Sequence, residues 1–228
     1  MIGIIAAMNT ELSGIRAEIE NAREETVSSI KFITGTIYGK DVVCAVCGIG
    51  KINAAVCAQT MILKYSPDCI INTGVGGALD RELHTCDVVC ASYAVQHDVD
   101  TTALGDEIGL VSTVNVVRFP VDEKVAEGLV NAMKEAGVTA VRGGIATGDQ
   151  FVCTKEVKER IVSLFGCKVC EMEGGSIAHV CYLNHVPCGI LRAISDGADE
   201  GATMSFTEFA DKAAQNSVKV LLSYIKNA

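Results

Sequence analysis

The feature that most constrains this chain is the alternation of short β-branched runs with longer stretches of helical spacing. Strands are predicted at 1–7, 29–38, 41–47, 69–74, 86–97, 140–147, 167–171 and 187–195. Helices are predicted at 10–20, 51–64, 122–137, 154–165, 173–184 and 206–226. Strands joined by crossover helices favour an α/β fold, with a central mixed, mostly parallel twisted sheet flanked by helices.

Three local signals refine this prediction. Gly39-Lys40 is expected to form the turn of a hairpin, and Ser205 with Glu208 is expected to open the last helix as a capping box. The sequence NTGVGGAL, which follows the strand at 69–74, is expected to bend. With 228 residues, only three prolines and no low-complexity linker, we expect one domain over residues 1–228.

Charge and hydropathy exclude several classes of partner. The net charge of −9 argues against nucleic acid or an anionic membrane, since both require a basic surface. The N-terminal MIGIIAAMNTEL lacks the basic start and the cleavage site of a signal peptide. No stretch approaches the roughly 18 apolar residues of a membrane span. We therefore expect a cytoplasmic protein.

The eleven cysteines include two pairs with CxxC spacing, Cys44/Cys47 and Cys167/Cys170. Both pairs fall in predicted strands, where residues three apart point to opposite faces and cannot close on one metal ion. The cysteine count is odd and no export signal is present, so reduced thiols are favoured. We predict no metal site and no cofactor.

Polar residues collect where the predicted strands end. Glu11 follows the first strand, Glu171 and Glu173 flank a methionine after another, and Arg192, Ser195 and Asp196 end the last one. In α/β sheets, ligands bind at these carboxyl ends. Individually the signals are weak. Glu11 also fits a first-turn acid that complements a helix dipole, and an isolated Phe151 fits a core position.

Taken together, the acids indicate a particular chemistry. Carboxylates around one cleft suit a cationic transition state and a substrate rich in hydroxyl groups. The glycines of NTGVGGAL match neither a dinucleotide fingerprint nor a P-loop. The pair His97-Asp98 has no evident nucleophile, which disfavours a hydrolase triad.

The succession GIIAAMNTEL, GIGKINAA, INTGVGGAL, HDVD, TGDQF, EMEGGSIAHV and RAISDGAD resembles the 5′-methylthioadenosine/S-adenosylhomocysteine nucleosidases. These enzymes belong to the superfamily of purine nucleoside and uridine phosphorylases. The resemblance runs from residue 2 to about residue 210. It implies hydrolysis of a 5′-modified adenosine to adenine and a free ribose sugar, as part of methionine salvage.

The resemblance also implies a role for each site residue. Asp196 would protonate N7 of adenine as general acid, with Ser195 holding its carboxylate. Glu11 would orient and deprotonate the attacking water, with help from Arg192. Glu173 would bind the ribose hydroxyls. Met172 would pack against the sugar, and Glu171 would support the ribose pocket. Phe151 would stack on the purine, and the backbone of Val152 would bind its edge. Further substrate contacts would come from Met8, Ile49, Val75, Gly76 and Phe206.

Two departures from the family pattern keep alternatives open. Phosphorolysis is the second enzymatic hypothesis. It is disfavoured because the loop after the first strand offers Glu11 and no arginine to a phosphate. In the loop after HDVD, Leu104 and Asp106 stand where the family has aromatic residues around the 5′-alkylthio group, so the preferred 5′ group stays open. The resemblance further implies a homodimer. An inactive nucleoside-binding module is the non-enzymatic alternative, although it would need neither Asp196 nor Glu11.

Overall fold

The computed structural model describes residues 1–228 and contains one ten-stranded mixed sheet with helices on both faces. The strands are β1 (Ile2–Ala6), β2 (Glu20–Val27), β3 (Ile30–Ile37), β4 (Lys40–Val46), β5 (Cys69–Ala78), β6 (Val88–Gln96), β7 (Phe119–Pro120), β8 (Ala140–Thr147), β9 (Val169–Glu171) and β10 (Cys188–Asp196). The helices are α1 (Asn9–Ala17), α2 (Lys51–Tyr65), α3 (Glu123–Glu135), α4 (Lys155–Phe165), α5 (Gly174–Asn184) and α6 (Ala202–Asn227), and Thr102–Leu104 form a 3₁₀ turn. The predicted fold class, a mixed α/β sheet flanked by helices, is confirmed.

Strand β5 organises the sheet, because it pairs with β1, β9 and β10. From β10 the sheet continues through β6 and β8 to β9, which returns to β5 and closes a ring of strands. From β1 it extends outward through β4, β3 and β2. The carboxyl ends of β1, β9 and β10 therefore converge beside the middle of β5.

Two apolar cores lie on opposite faces of the sheet. One core includes side chains of α2 and α5, such as Met61 and Ile177. The other includes side chains of α1, α3 and α6, such as Leu12, Leu129 and Leu221. Successive residues of the buried strands alternate between the two cores, as the two-residue period of a strand requires. No helix is long and apolar enough to span a membrane.

Strand β2 was not predicted, because its sequence ENAREETV carries no apolar period. All but the last of its residues are exposed, and it pairs only with β3 at the edge of the sheet. Glu24 and Glu25 form ion pairs with Lys31 and Lys64 across this edge. A charged edge strand of this kind resists pairing with other chains. Because β2 begins at Glu20, helix α1 ends at Ala17, three residues before its predicted end at residue 20.

The predicted hairpin between β3 and β4 is present, but its turn lies one residue earlier than expected. Tyr38 and Gly39 both have positive φ, of 50° and 74°, and Ile37 pairs with Lys40. Two central residues with positive φ form a type I′ turn, which matches the twist of the flanking strands. The prediction of Gly39-Lys40 was therefore wrong by one position.

The two cysteines of each CxxC pair were predicted to point to opposite faces of the sheet, and this is confirmed for Cys44 and Cys47 only. Cys44 belongs to one core and Cys47 to the other, so their thiols lie on opposite faces of the sheet. Cys167 instead precedes β9, and it packs with Cys170 in a third, smaller cluster. All the cysteines are free thiols.

The capping box predicted at Ser205 and Glu208 was wrong. Helix α6 begins at Ala202, so Ser205 lies inside its first turns and its N–H already donates to the carbonyl of Gly201 at 3.1 Å. By contrast, Asp122 is a true cap, because its carboxylate accepts the N–H of Val125 at 3.0 Å at the start of α3.

We expect Ser205→Ala to leave the free energy of unfolding unchanged or to raise it by about 0.5 kcal/mol, because alanine is the better residue inside a helix. Asp122→Ala, the matched control, is expected to lower it by about 1 kcal/mol. Urea unfolding of both variants measures the difference. A loss in Ser205→Ala as large as that in Asp122→Ala would contradict the helix start at Ala202.

Candidate active site

A cavity of about 260 Å³ opens where the ends of β1, β9 and β10 meet the middle of β5. Most of its lining consists of residues predicted from the sequence: Met8, Glu11, Ile49, Val75, Gly76, Phe151, Val152, Glu171, Met172, Glu173, Ser195, Asp196 and Phe206. Arg192 is the one candidate that does not reach the wall. Ala7, Gly77, Gln150 and Cys170 line the cavity although they were not predicted. Ala7, Gly77 and Gln150 lie within motifs that were quoted, and Cys170 directly precedes one, so position in those motifs was the available signal.

Glu11 is fixed by backbone donors. One carboxylate oxygen accepts the N–H groups of Ala7 and Met8 at 3.0 and 2.8 Å, and the other accepts the N–H of Val75 at 2.9 Å. The bond from Met8 caps α1, so the simple first-turn interpretation is part of the structure. Burial nevertheless raises the pKa of Glu11 against these hydrogen bonds.

The glycines of NTGVGGAL do not form the predicted bend. They lie within β5, which continues to Ala78, and they leave space for the acids. A Cβ atom on Gly74 would lie 2.6 Å from Oε1 of Glu11, and one on Gly77 would lie 2.8 Å from Oδ1 of Asp196. No real Cβ makes contacts this short, so glycine is required at both positions for the carboxyl groups to approach the strand.

Glu171 is the centre of the turn between β9 and α5. One of its carboxylate oxygens accepts the N–H groups of Glu173 and Gly174 at 3.1 and 2.7 Å. The other accepts the hydroxyl of Thr147, and the guanidinium of Arg192 forms an ion pair with the same carboxylate. All of these contacts are inside the protein. Glu171 thus holds the turn in place more than it presents acceptors to the cavity.

Arg192 is fully buried and engaged from several sides. Its Nη2 donates to Glu171 and to the side-chain oxygen of Asn72, and its Nη1 donates to the carbonyl of Leu191 at 3.0 Å. Glu173 lies 4.0 Å from the same guanidinium. Arg192 also acts on Glu11 electrostatically, and its positive charge opposes the rise that burial causes in the pKa of that carboxyl.

The carboxyl group of Glu173 accepts a single hydrogen bond, fewer than the other acids of the site. Its Oε1 accepts the N–H of Gly50 at 2.9 Å, which ties the loop before α2 to the cavity. Burial, together with the negative charge of Glu171, raises the pKa of Glu173 to about 7. The neutral form of this carboxyl is therefore more favoured than it is in an exposed glutamate.

Asp196 reaches the cavity because of a β-bulge. Ile194 pairs with Gly76 and Asp196 pairs with Gly77, so Ser195 is an extra residue in β10. The bulge lets Ser195 and Asp196 both face the cavity, although neighbours in a regular strand point to opposite faces. Oδ2 of Asp196 accepts the hydroxyl of Ser195 at 2.8 Å, and Oδ1 accepts the N–H of Ala198 at 2.9 Å. Burial raises the pKa of Asp196, and these hydrogen bonds oppose the shift.

Two aromatic rings form the apolar side of the cavity. Phe151 is 41% exposed, so it is not the core residue that an isolated phenylalanine would suggest. Its ring meets Phe206 edge to face, with centroids 5.7 Å apart. Val152, the next residue in the chain, lines the same cavity; it is buried, and its N–H and carbonyl have no backbone partner.

The loop after His97 does not line the cavity of this chain. Asp106 accepts the hydroxyls of Thr101 and Ser112 at 2.8 and 2.7 Å, so it ties the loop to itself. Leu104 ends the 3₁₀ turn with 83% of its surface exposed. No group of three or more histidine, cysteine or acidic side chains is arranged to hold a metal ion.

Comparisons with known proteins agree with this architecture. The model of the phosphorylase superfamily matches residues 1–226. A 5′-methylthioadenosine/S-adenosylhomocysteine nucleosidase of Shewanella halifaxensis is 37% identical over 230 residues, which cover 99% of this chain and 98% of the relative. The nucleosidase of Neisseria meningitidis, solved with methylthio-immucillin-A, superimposes with a TM-score of 0.97 at 37% identity, covering 100% of this chain and 99% of that one.

A futalosine hydrolase of Helicobacter pylori is also similar, with a TM-score of 0.96 and 35% identity over 100% of this chain and 97% of its own. Similarity in sequence and in structure therefore extends over the full length of both kinds of hydrolase. The match to the superfamily model and the full-length nucleosidase relatives show that the chain belongs to the phosphorylase superfamily and is an N-glycosyl hydrolase of the 5′-methylthioadenosine/S-adenosylhomocysteine nucleosidase family.

Proposed function

We propose that this chain hydrolyses the N-glycosidic bond of 5′-methylthioadenosine, S-adenosylhomocysteine or a related 5′-modified adenosine. The products are adenine and the free ribose sugar. The observation that carries the proposal is the pairing, in one cavity, of two differently held carboxyls. Burial raises the pKa of both groups, but Glu11 is bound by three backbone N–H groups as a carboxylate would be, whereas Asp196 accepts one backbone N–H and the Ser195 hydroxyl, which can also accept a proton.

The two carboxyls divide the chemistry between them. The proton of Asp196 passes to N7 of the purine as the C1′–N9 bond breaks, and the electron pair of that bond leaves with the adenine. The oxygen of a water molecule then bonds to C1′, and its proton passes to Glu11. The C1′ carbon and the ring oxygen of the ribose carry positive charge between the loss of adenine and the attack of water. Nearby carboxylates stabilise that charge more than they stabilise the substrate.

The turn at residues 171–173 supplies the sugar site. Glu173 accepts hydrogen bonds from the ribose hydroxyls, and Met172 packs against the sugar ring. Glu171 is already saturated by Thr147, Arg192 and two backbone N–H groups, so it fixes the turn. Since Arg192 does not reach the cavity wall, we propose that it acts through Glu171, and not by holding the water directly as the family resemblance implied.

Recognition of adenine is assigned to Val152 and Phe151. The free N–H of Val152 can donate to N1 of adenine while its carbonyl accepts the 6-amino group. A purine with an oxygen at position 6 would present a protonated N1 to that N–H, leaving two buried donors opposed. Unpaired buried donors are costly, so the 6-amino purine is preferred.

Water is favoured over phosphate as nucleophile. A phosphate beside β5 would meet the carboxylate of Glu11, and the N–H of Val75 already donates to that carboxylate. The nearest cation, Arg192, is committed to Glu171. Like charges in a buried cavity repel strongly, so the site lacks the counter-charge that a phosphate requires.

No residue of the loop after His97 selects the 5′ group within the same chain. Leu104 and Asp106 lie outside the cavity of their own chain, so neither closes the 5′ end there. A second candidate reaction is the hydrolysis of futalosine, because the Helicobacter pylori futalosine hydrolase matches the whole chain. Both reactions would use the same carboxyls, but futalosine carries a 6-oxo purine as well as a different 5′ substituent, and the Val152 edge disfavours that base.

The function is tested by following purine release in phosphate-free buffer from methylthioadenosine, methylthioinosine and futalosine. We expect adenine and free methylthioribose from methylthioadenosine, at a rate that added phosphate does not raise. The inosine analogue is expected to react at least about 100-fold more slowly, because its edge opposes Val152. Release that requires phosphate would replace the proposal with phosphorolysis, and no release from any nucleoside would favour a binding module.

The control for this assay is a pair of matched variants. Asp196→Asn is expected to abolish turnover while adenine still binds, because the amide cannot donate the carboxyl proton. Asp211→Asn removes a similar charge from the exposed face of α6 and is expected to retain activity. Near-normal kcat in Asp196→Asn would reject the general-acid assignment.

The raised pKa of Glu173 predicts a pH-dependent gain of stability in Glu173→Gln. Folding favours the protonated form of this group, so its contribution is intact below the ordinary glutamate pKa of 4.5 and is lost as the pH rises through about 7. The variant should therefore exceed the native protein in unfolding free energy by on the order of 2–3 kcal/mol at pH 8. The difference should vanish near pH 4.5, as followed by urea unfolding.

Glu24→Gln is the control for this prediction. Glu24 is exposed, and its hydrogen bond with Lys31 lowers its pKa, so removing its charge should give no gain at pH 8. A Glu173→Gln protein that is less stable than the native one at pH 8 would contradict the electrostatic conflict assigned to this site.

We propose that residues 1–228 form one domain and that two such domains form a homodimer. One hydrogen-bonded sheet includes every strand, and α6 packs back on β5 and β10. Helices α2 and α5 lie side by side with large apolar residues exposed, including Ile52 at 76%, Leu63 at 74% and Leu183 at 54%. Apolar surface of this kind marks an interaction site. We also propose a cytoplasmic location, because all eleven cysteines are free thiols, as is usual in a reducing compartment.

Sedimentation velocity is expected to give a species of twice the 24.0 kDa chain mass. Combining Leu63→Lys with Leu183→Lys should shift the protein toward monomer, because charges would be buried in the interface. Leu164→Lys, on α4 and 40% exposed, is the control and should leave the mass unchanged. A native chain that sediments as a monomer at tens of micromolar would reject the dimer.

A further inference from the structure

A second cavity, of about 400 Å³, is lined mainly by α4 and by the loop that follows β10. Its charged lining is balanced, with Arg81, Lys155 and Lys158 opposite Glu159, Asp199 and Glu200, so it selects no charged ligand. One of these side chains nevertheless reaches toward the active site. Lys158, on α4, is half-buried, and its Nζ donates to the carbonyl oxygen of Gly197 at 2.6 Å.

That carbonyl belongs to the peptide unit that binds Asp196. Gly197 C=O and Ala198 N–H form one planar amide, and the N–H of Ala198 donates to Oδ1 of Asp196 at 2.9 Å. The ammonium of Lys158 and the carboxyl of Asp196 therefore sit at the two ends of a single peptide dipole. A hydrogen bond to the oxygen of an amide polarises the group and strengthens its N–H as a donor.

The same peptide is held in an unusual conformation. Ala198 is fully buried and has a φ of 50°, in the left-handed region that a residue with a Cβ rarely adopts. Such a residue persists only where its surroundings determine it. Gly77 permits the close approach, since a Cβ there would lie 2.9 Å from that of Ala198. The hydrogen bond from Lys158 fixes the other side of the peptide.

We propose that Lys158 is a positioning residue for the general acid, which it serves by fixing and polarising the Gly197–Ala198 peptide that binds Asp196. This inference rests on the proposed function, in which Asp196 gives its proton to N7 and ends the step as a carboxylate. The polarised N–H stabilises that carboxylate more than it stabilises the neutral acid. Lys158 therefore aids proton transfer without touching the substrate.

The charges around Asp196 agree with this assignment. The Ser195 hydroxyl, on β10, and the Cys170 thiol, on β9, face it as neutral groups. Burial is the main cause of the raised pKa of Asp196, and Asp199, in the following loop, raises it further. Lys158 is the cation that lowers this pKa. Without it, the carboxyl would hold its proton more tightly.

The test is the pH dependence of kcat/KM in Lys158→Met, measured with methylthioadenosine. The alkaline limb, which reports loss of the Asp196 proton in the free enzyme, should move up by about half to one pH unit. At pH 7, kcat should fall about tenfold. Lys158→Arg should restore both values, because arginine keeps the charge and the donors. A merely structural role of Lys158 would lower activity without moving the limb.

Lys155→Met is the matched control, because Lys155 lines the same cavity, pairs with Glu159 and does not contact Gly197. Its profile should match that of the native enzyme. If Lys158→Met does not fold, Lys158→Gln, which keeps a donor and loses the charge, is expected to move the limb in the same direction. An unmoved limb in the folded variant overturns the inference, whereas turnover by Asp196→Asn would overturn the general-acid assignment itself.

Discussion

The buried ion pair between Arg192 and Glu171 is the interaction on which the rest of the site depends. Both side chains are almost fully shielded from solvent, and Glu173 and Glu11 lie within electrostatic range of the same guanidinium. One cation cannot neutralise several carboxylates in a medium that screens charge poorly. The pair neutralises Glu171 and leaves the other acids with an excess of negative charge. That excess suits a site that stabilises a transient positive charge on the substrate.

Backbone groups carry the remaining compensation. The carboxylate of Glu11 is bound entirely by main-chain N–H groups, and Glu173 receives one from Gly50. These donors cannot move away or change protonation state, so the carboxyl groups are oriented before any substrate arrives. Preorganised dipoles of this kind stabilise developing charge without rearrangement during the reaction. Burial raises the pKa values of Glu11, Glu173 and Asp196, so the charged forms of these acids cost folding free energy. The folded protein tolerates that cost because the same preorganised charges serve the reaction.

The sequence was informative where a local pattern determines the structure. Apolar runs located most strands, and the acids at their ends pointed to one cleft because parallel strands end at a common edge. It was uninformative where tertiary contacts decide. The glycines of NTGVGGAL predict a bend, but pairing on both sides keeps residues 69–78 extended. Strand β2 has no apolar face, so only its pairing with β3 defines it. The bulge at Ser195 depends on the register between β10 and β5, which no local pattern contains.

That bulge also gives Ser195 a property that follows from counting protons. Its hydroxyl lies 2.8 Å from Oδ2 of Asp196 and 3.3 Å from the carbonyl of Gly76, and it has one proton to donate. When Asp196 is ionised, the proton must point to the carboxylate, because the serine oxygen would otherwise face a negative charge. When Oδ2 carries a proton, that proton can be donated to the serine oxygen, and the hydroxyl then turns to Gly76. Both protonation states of the acid are thus hydrogen-bonded at the same heavy-atom positions, so a proton can leave Asp196 without any movement of β5 or β10.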